Sequence, residues 1–284
     1  MLNAYINGVL SKAEVSGQKG KCPFCGTDVV AKCGKFRHAH WAHLSRKDCD
    51  SWWESETEWH REWKSRFPQS WQEQTRYDEQ TGEKHVADVL TPNGLVIEFQ
   101  HSAIKPEELQ SRNNFYKHIL WVVDGCRRKT DFPKLIKVFS SHDFKKMAPI
   151  PYWPVQRTNF FEFYFADEVF NKTWLKLPVP IFFDFTSHPD LQVLEDSLSI
   201  GSLELCCLFP QYSDSAVAAF ISKEDFAQSV LAGKDFFSPI MNFVYKEWQA
   251  EQARIARNYR AYPIRDLLRN PLTLRPRYRH RFRF

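Results

Sequence analysis

HVADVLTPNGLVIEFQ, residues 85–100, decides how this chain is read. Two runs of strand-forming residues flank Thr91-Pro92-Asn93-Gly94, the composition of a turn in an antiparallel hairpin. Side chains alternate along a strand, so Ile97 and Phe99 take one face while Glu98 and Gln100 take the other. The turn then brings Asp88 of the first run beside Glu98 of the second. Two carboxylates so placed offer hard oxygen ligands to Mg²⁺ or Mn²⁺, a cation able to offset charge on a phosphoryl group and to lower the pKa of an attacking water. Taken alone, the spacing also fits a hairpin whose acids simply meet solvent.

The surroundings of the hairpin define a fold. Upstream, residues 54 to 66 carry acids in the first turn, Trp59, Trp63 and Phe67 at four-residue spacing, and Pro68 as a stop, so a helix is expected there. Glu56, His60 and Lys64 share its other face. Extended segments follow at about 70 to 77, 84 to 90 and 95 to 100. A helix opens at Pro106, with Arg112 placed for a phosphate or for Glu108, and then comes the apolar strand Ile119 to Val123. The order helix, three strands, helix, strand describes an α/β domain. Beyond it, apolar runs at 160–165, 180–185, 203–209 and 216–221 read as strands, Ser222 to Asp225 as a helix start, and about 242 to 262 as a polar helix.

Upstream of the first helix the chemistry changes. After a hairpin centred on Asn7-Gly8, Cys22-Pro-Phe-Cys25 presents two thiolates on a knuckle, and His38, His40, His43 and Cys49 follow. Apolar residues are too sparse in this stretch for a core of its own, which points to a structural Zn²⁺. Cys22, Cys25, His43 and Cys49 are the favoured ligands, with His40 as the alternate, because thiolates make the tighter zinc bonds.

The composition of the 284 residues, 43% apolar, 15% aromatic and 26% charged, is that of a folded chain rather than a disordered one. Seven cysteines, an odd number, fit reduced thiols and a metal rather than a disulfide framework. The start has no signal-peptide pattern and no apolar run is long enough to span a bilayer, so a cytoplasmic protein without membrane contact is expected. The net charge of +5 is unevenly placed: residues 251–284 hold ten arginines against Glu251 and Asp266, a tail of +8 that leaves −3 for the rest. Arg275, Arg277, Arg279 and Arg281, interleaved with aromatics, suit DNA phosphates and unpaired bases, or else make a docking arm for a protein partner.

The ordered motifs CPFCG, HWAH, Cys49, SETEWH, HVADV, VIEFQHS, the Glu107/Arg112/Tyr116 helix and ILWVVDG resemble the CoiA-like competence nuclease family, over roughly a third of the chain. The resemblance implies a PD-(D/E)XK-type core: a restriction-endonuclease-like mixed sheet flanked by helices, behind a small zinc module and ahead of a C-terminal α+β extension. The corresponding division is 1–50 for the hairpin and zinc module, 51–140 for the core, 141–240 for the extension and 241–284 for the helix and basic tail. The family's roles fall on Glu56 or Glu58 from the first helix, His60, Asp88, Glu98 and Gln100. Gln100 departs from the lysine of the broader pattern, since an amide orients water but brings no charge. The expected function is a Mg²⁺- or Mn²⁺-dependent deoxyribonuclease acting in DNA uptake, recombination or defence. The alternatives are an inactive nuclease fold that binds DNA or serves as an adaptor, and a zinc-stabilised interaction module. The C-terminal half is the surface expected to meet a second copy or a protein partner.

Overall fold

A computed structural model describes residues 1–261 apart from 35–37, 45–48, 51, 53–55, 80, 142, 165, 176, 199–200 and 212–214. Arg275, Arg277, Arg279 and Arg281 lie outside the described residues.

Asn7 and Gly8, at φ of 49° and 82°, close the hairpin between β1 (Asn3–Ile6) and β2 (Val9–Lys12), as a two-residue turn with both centres left-handed requires. Three further short strands, β3 (Lys19–Lys21), β4 (Asp28–Lys32) and β5 (His40–His43), complete an antiparallel sheet in the order β2-β1-β3-β4-β5. Its core is small: Ala4, Val29 and Ala31 surround the buried Trp41. Gly20 makes room for that ring, because a Cβ there would lie 3.2 Å from Trp41 and 3.1 Å from the Tyr5 carbonyl oxygen.

The remainder is mixed α/β. Helix α1 (Glu58–Ser65) leads into a short 3₁₀ turn and β6 (Gln72–Tyr77), β7 (Lys84–Leu90) and β8 (Val96–Gln100). Then come α2 (Pro106–Tyr116), β9 (Ile119–Asp124), α3 (Asp131–Ser141), β10 (Phe144–Met147) and β11 (Asn159–Phe163). Two short helices, α4 (Ala166–Val169) and α5 (Lys172–Leu175), precede β12 (Ile181–Asp184) and α6 (Leu191–Leu198). The chain goes on through β13 (Leu205–Leu208), β14 (Ala216–Ile221), α7 (Lys223–Leu231) and α8 (Phe237–Ala261). Among the described residues the strands form one sheet, β10-β11-β14-β13-β12-β9-β8-β7-β6, parallel at β8–β9 and β9–β12 and antiparallel elsewhere. The apolar runs beyond residue 141 therefore enlarge the same sheet that carries the hairpin. Alternation along β9 sends Ile119, Trp121 and Val123 to one core, with Leu109, Phe132 and Leu135, and Leu120 and Val122 to the other, with Trp63, Phe226 and Ile240.

Helix α1 begins later than its composition predicts. The Thr57 side chain accepts from the His60 backbone N–H, the His60 ring answers on the Thr57 N–H, and this reciprocal cap starts the helix at Glu58. Glu56 consequently sits ahead of the helix rather than on it. The α1 indoles Trp59 and Trp63 both donate to Asp184 Oδ2, at 2.9 and 2.8 Å, with Lys223 Nζ 3.4 Å away. The other Asp184 oxygen accepts from Thr186 N at 2.9 Å. A buried carboxylate at the end of β12 thus clamps α1 onto the sheet. D184A, which strands two indole N–H groups in the core, is expected to cost about 3 kcal/mol. Urea unfolding followed by tryptophan fluorescence checks this, and a cost below about 1 kcal/mol would show that the clamp is idle.

Candidate functional site

Strands β7 and β8 pair at Val89–Ile97 and Leu90–Val96, and beyond that point side chains take over from the ladder. The Phe99 N–H donates to Asp88 Oδ2 at 3.0 Å, and the Asp88 N–H to Glu98 Oε1 at 3.3 Å. The two acids of the hairpin are therefore adjacent and wedged between parting strands. Glu98 Oε2 receives Arg112 Nη1 from α2 at 2.9 Å. Arg112 in turn is held by Glu108 and by the Trp52 carbonyl at 2.7 Å. Burial and the charge of Asp88 push the Glu98 carboxyl up to about 8, against the pull of Arg112.

A second cation lies across from this pair. Lys64 Nζ, on α1, is 2.5 Å from Glu56 Oε1, 3.2 Å from Glu73 Oε1 and 3.7 Å from Asp88 Oδ1. Burial opposes its charge, but Glu73, Asp88 and Glu56 together raise its pKa above that of a free lysine. Glu73 lies between Gln72 and Gln74, which pair with Val89 and Ala87 of β7, at a φ of 51°, a left-handed conformation that costs a non-glycine residue roughly 1–2 kcal/mol. Its carboxylate accepts the Leu2 N–H at 3.2 and 3.1 Å. These groups line a cleft of about 430 Å³ together with Tyr5 and Leu10 of the N-terminal sheet and Phe24 of the Cys22–Cys25 knuckle.

The remaining expected residues are placed differently. Glu58 is exposed and pairs with Arg61 at 2.8 Å and His38 at 2.6 Å, outside the cleft lining. His60 lines the cleft with both ring nitrogens engaged: Nδ1 on Thr57, and Nε2–H on the Phe99 carbonyl at 3.0 Å. Gln100 is buried, does not line the cleft, and donates its amide to the Ser102 carbonyl at 3.1 Å. Arg112 is bound up with Glu98 rather than turned to solvent. Lys64 and Glu73 carry no role in the sequence reading. Lys64 announced itself only through its spacing from Glu56 and His60, and Glu73, in the polar run QEQ, gave no signal.

One ligand atom from each of Cys22, Cys25, His43 and Cys49 lies within 4.8 Å of the others, so the four can hold a metal ion such as zinc, and Cys22 and Cys49 also line the cleft. The knuckle is built by backbone bonds, Gly26 N to Cys22 O and Cys22 N to Thr27 O, both 2.9 Å, with Gly26 at φ 72°. Burial and the neighbouring thiols push Cys49 up to about 12, and burial raises Cys22, so the thiols resist ionising together without a cation among them. His40 turns away, with Nδ1 bonded to the His38 carbonyl at 2.9 Å. The cluster also touches the acidic site through the chain: Asp50, next to Cys49, binds His85 Nδ1 and the Val86 N–H of β7, both at 2.8 Å, and Trp52 stacks on His85.

Residues 10–51 match competence protein CoiA, N-terminal domain, and residues 56–165 match competence protein CoiA, nuclease-like domain. The two matches follow one another along more than half of the sequence. The chain belongs to the CoiA-like competence protein family. No curated protein and no solved structure matches it. In this CoiA-like chain the N-terminal match contains all four thiol and imidazole ligands. The nuclease-like match contains Glu56, Lys64, Glu73, Asp88, Glu98 and Arg112, whereas Asp184 and Lys223, which hold α1, lie beyond it. No helix among the described residues is long and apolar enough to cross a membrane.

Serine at Cys22 and Cys25 together should strip the protein of bound metal in elemental analysis and lower its thermal midpoint by several degrees, since metal binding is folding free energy in so small a core. Unchanged metal content and midpoint would remove the cluster from the account.

Proposed function

We propose that this chain is a metal-dependent deoxyribonuclease with a PD-(D/E)XK-type site, stiffened by a structural zinc at Cys22, Cys25, His43 and Cys49. The observation that carries the reading is the charge balance of the cleft. Glu56, Glu73, Asp88 and Glu98 face two cations, Lys64 and Arg112, inside a domain whose family is nuclease-like. The acids lining the cleft outnumber the side-chain cations, an excess of negative charge that one divalent cation would offset. Carboxylate oxygens fit Mg²⁺ or Mn²⁺, which is commonly held by one or two carboxylates and otherwise by water and substrate phosphate.

In this reading Asp88 and Glu98 are the ligands, and Glu56 stands behind them. When bound, the cation offsets charge on the scissile phosphate and lowers the pKa of the attacking water. Arg112 fixes the Glu98 rotamer through its second oxygen, leaving the oxygen near Asp88 for the site. His60, capped on both nitrogens, holds the start of α1 against β8 and moves no proton. Gln100 ties the end of β8 to Ser102. Arg275, Arg277, Arg279 and Arg281 add phosphate contacts along the DNA, and the family's role in competence makes incoming DNA the natural substrate. The proposed division keeps 1–50 as the metal module, 51–140 as the core, 141–240 as the extension of the sheet and 241–284 as the helix and basic tail.

Purified protein incubated with single- or double-stranded DNA and Mg²⁺ or Mn²⁺ should cleave. D88N and E98Q should each lower the rate by more than roughly a hundredfold, because loss of groups behind metal ligands already costs roughly 10–100-fold. Cleavage surviving in both variants would reject these ligands, and DNA binding without cleavage in the wild type would make the protein a nuclease-fold binder.

A further inference from the structure

The carboxylates of the cleft converge on an ammonium. Among the described residues the converged Cys/His cluster is the group whose ligand atoms stand at metal-binding separation, and the four acids do not join such a group. Their common point is Lys64 Nζ, 2.5 Å from Glu56, 3.2 Å from Glu73 and 3.7 Å from Asp88. The Lys64 side chain is 5% exposed, and Glu73 is pinned from behind by the Leu2 N–H, so the ammonium cannot drift to solvent without breaking this set. The hairpin meanwhile offers only an amide at Gln100, turned to Ser102. Of Lys64 and Arg112, the latter is committed to Glu98, Glu108 and the Trp52 carbonyl.

We propose that Lys64 is the resident counter-ion of this site and competes with the divalent cation for Asp88. The proposal rests on the nuclease reading above. A divalent cation on Asp88 and Glu98 lies within a few ångströms of an ammonium that already touches Asp88, and like charges at that separation repel strongly in a buried site. Loading therefore requires Lys64 to give up Asp88 and retire toward Glu56 and Glu73 or toward substrate. The ammonium released from Asp88 is then the free positive charge nearest a bound phosphate, on α1 rather than on β8. In the unloaded state the same ammonium keeps three acids folded side by side.

The signature is a pair of effects with opposite sign. K64Q should bind Mn²⁺ roughly tenfold or more tightly than the wild type, read by paramagnetic titration or by the Mn²⁺-dependent rise in thermal midpoint, because a repelling charge has gone. It should nevertheless cleave DNA at least roughly tenfold more slowly at saturating Mn²⁺. K64R, which keeps the charge, should hold Mn²⁺ affinity within about twofold of wild type, which separates charge from shape. If K64Q unfolds in chelator, the Mn²⁺ concentration that refolds it gives the same affinity by linkage. Equal or weaker Mn²⁺ binding by K64Q, with wild type binding normally, overturns the competition and leaves the nuclease reading standing. No Mn²⁺ binding to either protein overturns both.

Discussion

Four carboxylates taken out of water within one cleft are the constraint around which this molecule is organised. Burying ionised groups costs several kcal/mol each unless opposite charge or hydrogen bonds compensate. Each acid here has its own answer: Glu98 has Arg112, Glu56 has Lys64, Glu73 has Lys64 and the Leu2 N–H, and Asp88 has the Phe99 N–H. Those answers come from α2, α1, the N-terminal segment and β8. The cleft therefore exists only when four separate parts of the chain are in place. Compensation is also incomplete, since Glu98 is driven toward the neutral form by burial and by Asp88. A site left short of positive charge in this way is poised for a cation.

The large C-terminal half finds its purpose in the same requirement. Lys64 can serve only if α1 is held over the sheet, and α1 is short, eight residues, with little intrinsic stability. Its hold comes from Trp63 buried against Phe99 and Phe226, and from the two indoles gripped by Asp184. Asp184 ends β12 and Lys223 opens α7, so residues far along the chain position the helix that serves the cleft. Strand β12 reaches that place by pairing in parallel with β9, next to β8. The added strands form the support on which α1 rests.

How far this was legible depended on whether a signal was local. Alternation in VIEFQ and the Thr91–Gly94 turn placed Asp88 beside Glu98, and the helices at Pro106 and Ser222 and the strand at 216–221 follow from caps and apolar runs. The start of α1 was misjudged because acids at 54 to 56 imitate a first turn, whereas Thr57 and His60 form the reciprocal cap that sets it. Strands β3, β4 and β5 escaped notice because their burial is shared among a few small residues and one tryptophan, with no period to read. Glu73 escaped for a different reason: a left-handed residue in a polar strand has no sequence pattern, and its partners, Leu2 and Lys64, are tertiary. Gln100 was grouped with Glu98 by alternation, yet the end of β8 lets its amide turn to Ser102. Alternation fixes a face, not a destination.

The thiol cluster and the acidic cleft are one construction rather than two neighbours. Cys49 closes the cluster, and the next residue, Asp50, takes the Val86 N–H and the His85 ring of the strand that carries Asp88. Two residues further, the Trp52 carbonyl binds the arginine that holds Glu98, while its ring stacks on His85. A metal fixing Cys49 would thus steady the strand of Asp88 and the arginine of Glu98 through three hydrogen bonds and one ring contact, with no contact of its own to either acid. The N-terminal sheet, too poor in apolar residues to stand by burial alone, returns the favour by lining the cleft with Tyr5 and Leu10. Residues of both family matches line one cleft, and Cys49, Asp50 and Trp52 connect the thiol cluster to its acids.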